Sequence, residues 1–297
     1  MKQVLIENLI EKQDNIGLVH IPRYENKLWK EVLKKSVKEF KDTKAIPHTI
    51  DLEYKEGEYK GSHPYFVCIL GNNLIAETGK NYILPMTPSQ SEQMLKQNPD
   101  FLKDFYIDSG LLTIYPSNEV KTNPVTYDSI LSQLKSDDWK HQFSDLDLSK
   151  PFVIFGLMNI KKDSSYENGL KFEVSEYTKA FNHNVLLKQG VFAFDSNDPG
   201  LEEKGLPLNL GKGNRNLYVG DEGVRGFFRV RGLNLYAWLG YLAVSGGAGR
   251  VRFVENFPKG SSGLVNKLEK QILLELNKKT KALQEIAEEA ITKIRNR

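Results

Sequence analysis

The spacing of apolar residues predicts three helices in the first half of the chain. Residues 26–41 carry apolar side chains at helical spacing, among them Trp29, Val32 and Phe40, with lysines on the opposite face. Residues 87–97 and 122–135 each have a proline near the start, where the first turn of a helix tolerates it, with residues that can cap a helix nearby. We therefore expect a helix at each of these places.

Short apolar runs bounded by turn residues predict strands. Residues 65–70 are continuously apolar and are followed by Gly-Asn-Asn, so we expect a strand there that ends in a turn. Further strands are expected at residues 109–116, 151–160 and 190–196. The polar residues 51–61 predict a hairpin or loop, and residues 172–187 predict a strand followed by a short helix.

The most distinctive pattern lies in residues 205–257, where glycine follows almost every short apolar run. This pattern predicts short strands joined by tight turns, since glycine adopts conformations that other residues avoid. From Gly223 through Val254 there is no Asp or Glu, and phenylalanine, tyrosine and tryptophan alternate with arginine. The arginines of this segment are Arg225, Arg229, Arg231, Arg250 and Arg252.

Residues 261–297 predict one long amphipathic helix, because leucine and isoleucine recur there at three- and four-residue steps close to a heptad repeat. A helix of this length packs on its own domain or on copies of itself. Self-association through residues 265–297 and an oligomeric protein are therefore open alternatives to intramolecular packing.

The order of these elements predicts an α+β protein. The polar residues 136–149 are the expected boundary between an N-terminal mixed α+β domain of unknown role, residues 1–150, and a β-rich domain, residues 151–258. The helix at residues 261–297 follows. A chain of 297 residues is long enough for this organisation.

Charge and hydropathy narrow the functional classes. Hydrophobic residues make up 40% of the chain and charged residues 27%, which is typical of a globular protein. The net charge of +3 is too small to indicate nucleic acid or a membrane surface as the partner. No secretory signal and no apolar run of about 18 residues is present. We expect a cytoplasmic protein with no membrane partner.

No catalytic, metal-binding or cofactor-binding constellation is predicted. Cys68 is the single cysteine and lies in an apolar run, which favours a buried, inert thiol. The five histidines lack the spacing of a zinc site. Asp195, Asn197 and Asp198 resemble a cation-binding loop, although Pro199 and the missing twelfth-position Glu exclude an EF-hand. A cation held in another geometry stays open.

The arginine and aromatic side chains predict a binding surface, because these residue types concentrate in binding hot spots. A nucleic-acid surface would use the same residue types. Some positions of the segment instead repeat as inward-facing residues would, and we expect them in the core. These positions are Phe227, Leu233, Leu235, Leu242, Val251 and Phe253.

Residues 224–254 resemble the variable region of proteins diversified by diversity-generating retroelements, in which a C-type-lectin-like fold displays hypervariable side chains. The resemblance rests on a framework of Gly226, Arg229, Leu235, Ala237, Leu242, Ala243, Ser245, Gly249, Arg250 and Val251. It implies a C-type-lectin-like domain within residues 151–258 that binds ligand without catalysis. The implied ligand-binding positions are Phe228, Val230, Gly232, Tyr236, Trp238, Leu239, Tyr241, Val244, Gly246, Gly247 and Ala248.

The leading hypothesis is therefore a non-enzymatic protein that displays a variable binding surface to a protein or other macromolecular ligand. An alternative is a nucleic-acid-binding or nucleic-acid-processing protein that uses the arginine and aromatic cluster. A third hypothesis is an assembly protein in which the terminal helix makes the main contact.

Overall fold

Eleven strands form one mixed sheet at the centre of the fold. The computed structural model describes residues 26–45, 54–55, 58–61, 63–81, 83–98, 100, 106–230, 233–243 and 248–255. Its helices are α1 (Asn26–Glu39), α2 (Pro64–Thr78), α3 (Pro88–Gln97), α4 (Pro124–Lys135) and α5 (Gly200–Glu203), with a 3₁₀ turn at Asn184–Leu187. Its strands are β1 (Tyr54–Lys55), β2 (Glu58–Lys60), β3 (Ile83–Pro85), β4 (Tyr106–Tyr115), β5 (Phe152–Phe155), β6 (Asn159–Lys162), β7 (Leu170–Glu173), β8 (Lys179–Asn182), β9 (Gly190–Phe194), β10 (Arg215–Val219), β11 (Gly223–Arg229), β12 (Leu235–Leu239) and β13 (Gly249–Glu255). The predicted α+β class is confirmed.

The strand order of the large sheet is β1-β2-β13-β4-β11-β12-β10-β9, with β3 beside β13, β5 beside β4 and β8 beside β5. The β13–β4 and β10–β12 pairs are parallel and the others antiparallel, while β6 and β7 form a separate small sheet. β4 pairs with β5 and with β11, which both come after residue 150. The boundary expected near residue 150 therefore does not divide the sheet, because long-range strand pairing crosses it.

Contacts divide the chain after Glu255, and all the described residues belong to the first unit. The polar residues 136–149 form a series of turns within that unit. The helix predicted at residues 261–297 and the self-association predicted for residues 265–297 lie outside the described residues.

The three predicted helices at residues 26–41, 87–97 and 122–135 are confirmed as α1, α3 and α4. At α3, the Thr87 side chain accepts a bond from the Gln90 N–H, and the Gln90 side chain accepts one from the Thr87 N–H, which is a complete capping box. At α4, Asn123 provides no side-chain cap. Glu167 replaces it by accepting bonds from the Val125 N–H at 2.6 Å and the Thr126 hydroxyl at 2.8 Å.

The strand predicted at residues 65–70 is wrong, because these residues form the first half of α2. Every residue from Pro64 through Gly71 is buried, so this half of the helix is buried on all sides and its sequence carries no helical period. The His63 side chain accepts a bond from the Phe66 N–H at the start of the helix. Gly79, at φ 67°, ends it in the left-handed conformation that glycine favours.

The strands predicted elsewhere differ from the structure mainly in their bounds. Residues 151–160 form two strands, β5 and β6, and residues 172–187 contain the end of β7, all of β8 and the 3₁₀ turn. Of the two alternatives for residues 51–61, a hairpin or a loop, the structure has the hairpin, as the antiparallel pair β1–β2. The strand predicted at residues 190–196 is confirmed as β9.

Two apolar clusters pack on opposite faces of the sheet. On β5, Phe152 and Ile154 belong to the cluster that contains α2 and α4, whereas Val153 belongs to a second cluster with β9, β10 and β12. Adjacent residues of a strand point to opposite faces, so each cluster covers one face. Phe227 and Leu235 of the predicted core lie in the second cluster, and Leu242, Val251 and Phe253 lie in the first. Leu233 is only half-buried, in the turn between β11 and β12.

A buried ion cluster joins α3 to β10 and β11. The Arg215 guanidinium donates two bonds to the Glu92 carboxylate at 2.8 and 3.1 Å. Arg229 Nη1 lies 2.6 Å from Glu92 Oε1 without the direction of a hydrogen bond, and Arg229 Nε has no hydrogen-bond partner among the described residues. Burial lowers the pKa of Arg229 to about 10, although Glu92 acts in the opposite direction. One carboxylate thus compensates two buried cations.

Replacing Glu92 by Gln should strongly destabilise the protein, because both guanidinium groups would lose their only carboxylate partner among the described residues. We expect a loss of about 3–5 kcal/mol in the free energy of unfolding, measured by urea denaturation. Glu202→Gln, which breaks the exposed ion pair with Lys96, is the control and should cost less than about 1 kcal/mol. Equal losses of unfolding free energy for the two variants would show that the buried ion cluster stabilises the fold no more than an exposed ion pair does.

Candidate binding surface

Five aromatic side chains from four strands form a continuous row, called here the aromatic row. Tyr236 of β12 stacks on Tyr218 of β10, with ring centroids 4.2 Å apart and planes inclined by 17°. On its other side, Tyr236 stacks on Phe228 of β11 at 5.4 Å and 11°. The row ends at Tyr106 of β4, 5.4 Å from Phe228, and at Trp238 of β12, 5.0 Å from Tyr218.

Strand register explains why these rings meet. Phe228 lies opposite Tyr236 in the antiparallel β11–β12 pair, and Tyr236 lies beside Tyr218 in the parallel β12–β10 pair. Paired residues project from the same face of a sheet, so the three rings stand side by side. Their neighbours in sequence point the other way and are buried in the second cluster, namely Leu217, Phe227, Leu235 and Ala237.

The aromatic row is partly open to solvent and lies beside the start of α2 on its face of the sheet. Gly226, two residues before Phe228 on β11, lies against Pro64 at the start of α2, and a Cβ added to it would be 3.7 Å from Pro64 Cγ. Trp238 is 41% exposed, and the other rings of the row are half-buried. On this face of the sheet, β11 is covered by α2 at Gly226 and is partly exposed two residues later, at Phe228.

The backbone of β12 beneath the row is held by side chains of β11 and β4. Arg225 Nη1 donates to the Trp238 carbonyl at 2.6 Å, and its Nη2 forms an ion pair with Asp221. The Tyr115 hydroxyl donates to the Ala237 carbonyl at 2.7 Å. Because these bonds reach main-chain atoms, they fix the strand whatever side chains it carries.

The structure brings together only some of the ligand-binding positions implied by the resemblance. Phe228, Tyr236 and Trp238 lie in the aromatic row, and the carbonyl of exposed Ala248 accepts a bond from the Tyr106 N–H at 3.1 Å. Tyr241 is 72% exposed, just beyond β12. The remaining positions lie away from the aromatic row or outside the described residues. Leu239 is half-buried at the end of β12, Val230 is in the β11–β12 turn, and Gly232, Val244, Gly246 and Gly247 are outside the described residues.

Tyr218 and Tyr106 belong to the surface and were not predicted from the sequence. Tyr218 alternates with buried Leu217 and Val219, so the strand pattern does place it on the face opposite the core. Its contact with Tyr236 depends on a parallel pairing between strands that are not consecutive in the chain. Strand pattern alone could therefore identify the exposed side chain but not its neighbours.

The arginines that were expected to share one surface with the aromatic side chains lie in different parts of the fold. Arg229 is buried in the ion cluster, and Arg225 holds the β12 backbone and Asp221. Arg250 and Arg252 are half-buried on β13, and Arg231 lies outside the described residues. At least two of these charges therefore satisfy groups of the protein itself.

The loop with Asp195, Asn197 and Asp198 is organised by hydrogen bonds to Asp198. Its carboxylate accepts main-chain bonds from Gly200, Leu208 and Asn209 at 2.7–2.9 Å, and a side-chain bond from Asn209. Burial acts to raise the pKa of Asp198, but these bonds outweigh it and the pKa is lowered. The carboxylate oxygens are thus already engaged by N–H donors.

The remaining chemical groups considered from the sequence are metal ligands and the cysteine thiol. No group of three or more His, Cys, Asp or Glu side chains there is arranged to hold a metal ion. Cys68 is buried as predicted, and burial raises the pKa of its thiol to about 12. No helix among the described residues is both long and apolar enough to cross a bilayer.

Comparison with protein-family models, with curated proteins and with solved structures gives no match for this chain.

Replacing Asp198 by Asn should destabilise the loop, because the amide nitrogen cannot accept the bonds from Asn209. We expect a loss of about 1–3 kcal/mol in unfolding free energy at pH 7, measured by urea denaturation. The pKa of Asp198 is lower in the folded than in the unfolded protein, so its stabilisation is complete above about pH 4 and is lost as the pH falls through the folded-state pKa. The two proteins should therefore converge in acid.

The control for this prediction is Asp195→Asn in the same loop, since among the described residues the exposed Asp195 carboxylate accepts a main-chain bond only from Asn197. It should cost less than about 0.5 kcal/mol. A stability difference between wild type and Asp198→Asn that stays constant down to pH 3 would contradict the explanation.

Phe227 and Phe228 provide a matched test of the two faces of β11. Phe227→Ala removes a ring from the second cluster and should lower the free energy of unfolding by about 3–5 kcal/mol. Phe228→Ala removes a half-buried ring of the aromatic row and should cost about 1 kcal/mol, the value of its ring contacts. Urea denaturation of both variants measures the difference, and equal losses would place Phe228 in the core.

Proposed function

We propose that this chain is a non-enzymatic binding protein whose ligand surface is the aromatic row. The observation that supports the proposal most is the contiguous set of solvent-facing rings on a sheet whose opposite face is core. Aromatic side chains offer large contact areas with few torsions to immobilise, which suits them to binding sites. Because neighbouring rings already contact one another, a ligand would meet side chains that are largely ordered beforehand.

The proposal extends to the type of binding protein. We infer a retroelement-diversified variable protein that displays its surface on a C-type-lectin-like scaffold to a protein or other macromolecule. What supports this inference is the separation between framework and ligand-binding positions. Phe228, Tyr236 and Trp238 reach solvent, whereas most of the framework is buried, namely Gly226, Arg229, Leu235, Ala237, Leu242, Ala243, Gly249 and Val251.

The alternative nucleic-acid function shares one supporting observation, since aromatic rings on an open sheet face also bind single-stranded nucleic acid. The arginines that would bind the phosphate groups support this alternative less. Arg229 is buried against Glu92, and Arg225 is bonded to Trp238 and Asp221. A protein ligand therefore remains the preferred proposal.

The decisive experiment randomises Phe228, Tyr236 and Trp238 in the displayed full-length chain. We expect most members of this library to resist proteolysis, because the framework beneath those positions is unchanged. Selections against lysozyme and against streptavidin should each return specific binders with affinities of about 1 μM or better. The control library randomises Phe227, Leu235 and Ala237, which are buried on the opposite face, and should be mostly degraded.

Two results would contradict the proposal. If the surface library is degraded as often as the control library, the aromatic row is a structural element. If the wild-type chain binds a fluorescent single-stranded oligonucleotide, with an affinity that falls steeply with salt, the nucleic-acid alternative is favoured instead.

A further inference from the structure

The outer edge of β9 is an open sheet edge beside the aromatic row. β9 is the last strand in the sheet order, and no strand of the described chain pairs with its outer side. Its sequence, GVFAF, contains no charged residue, and Val191 is 51% exposed. Proteins usually guard edge strands with charged residues, prolines or covering loops, because an open edge accepts a strand from another chain.

The hydrogen bonds around β10 show which main-chain groups of β9 point outward. Asn216 lies opposite Ala193, but its N–H donates to the Asn234 side chain at 2.8 Å, away from β9. That pair is therefore not joined by ladder bonds, and by alternation neither is Val191 with its partner. The Ala193 carbonyl accepts a bond from the Gly211 N–H at 2.8 Å. The accessible part of the edge is thus centred on Val191, whose N–H and C=O face outward.

Val191 is also in register with the aromatic row. Val191 is paired with Tyr218 of β10. Tyr218 is in turn paired with Tyr236 of β12, and Tyr236 with Phe228 of β11. Side chains at paired positions share a face, so a strand added to β9 would place alternate side chains in line with this row. The open main-chain groups and the exposed apolar side chains therefore belong to one continuous surface.

The arrangement of the rings indicates which class of partner this surface suits. Both faces of the Tyr236 ring are covered, one by Phe228 and the other by Tyr218, so the ring offers its edge to a ligand. Stacking of a nucleobase needs an open ring face. Neither the row nor β9 carries a charge that would match a phosphate backbone or a charged peptide.

We propose, as an extension of the proposed function, that the partner is a protein that adds an extended, uncharged strand to β9 at Val191. The partner strand would exchange main-chain hydrogen bonds with the Val191 N–H and C=O. On the face that carries the aromatic row, its side chains would lie beside Val191, in line with Tyr218. In this binding mode the main-chain bonds supply affinity and the side-chain contacts supply specificity.

The test uses a displayed library of random linear peptides, selected on the full-length wild-type chain. Val191→Pro removes the outward N–H but no ladder bond to β10, and edge strands tolerate proline at such a position. Val191→Thr keeps the N–H and the side-chain shape and is the matched control. Enriched peptides should show alternating apolar residues and bind Val191→Pro about tenfold more weakly, with less than about a twofold change for Val191→Thr.

Several results would overturn the proposal of strand addition. These are equal affinities for the proline and threonine variants, no peptide enriched on the wild type over Val191→Pro, or wild-type dimers in light scattering that Val191→Pro abolishes. Near-UV circular dichroism verifies that the proline variant is folded. If it is not, Val191→Lys, which places a guarding charge on the edge, replaces it and should weaken binding by a similar factor.

Trp238→Ala separates this proposal from the proposed function. If Trp238→Ala abolishes binding and Val191→Pro does not, the aromatic row binds a partner without strand addition, and only the further proposal fails. If neither variant changes the affinity of any selected peptide, both proposals fail.

Discussion

The antiparallel pairing of β4 with β11 determines how the candidate surface is built. It runs from Tyr115 opposite Gly223 to Ile107 opposite Arg229, and it is interrupted once, where two residues of β4 have no partner. One of the two, Gly110, has a φ of 68° and donates its N–H to the Asp108 carboxylate at 2.9 Å. A left-handed residue with a short polar side chain nearby is a stable way to accommodate extra residues in a strand. Beyond this irregularity, Tyr106 of β4 and Phe228 of β11 place their rings on the same face of the sheet, 5.4 Å apart.

The aromatic row depends on the interior on the other side of the sheet. The residues that alternate with the aromatic row fill the second apolar cluster, and the buried ion cluster attaches α3 to the same strands. A buried carboxylate shared by two guanidinium groups costs desolvation, and that cost is offset only while the partners keep their geometry. The core thus restricts movement of β10 and β11, and with it the positions of the rings in the aromatic row.

Sequence signals predicted those features whose causes are local. α3 and α4 have proline near their starts. Phe228, Tyr236 and Trp238 were expected at the surface from the resemblance. Residues 65–70 were wrongly predicted because a helix buried on every side has no polar face to reveal its period. Tyr218 was missed because its neighbour Tyr236 comes from a non-consecutive strand. Arg229 was assigned to a surface because its partner Glu92 lies on a helix far away in sequence.

The bond from Arg225 to the carbonyl of Trp238 has a consequence for how such a protein can change over generations. Every amino acid supplies the same carbonyl oxygen, so the clamp is indifferent to which residue occupies that site. Under the proposed function, mutations there would alter what the molecule recognises while the scaffold keeps its shape, and new specificities would accumulate without a parallel loss of foldability.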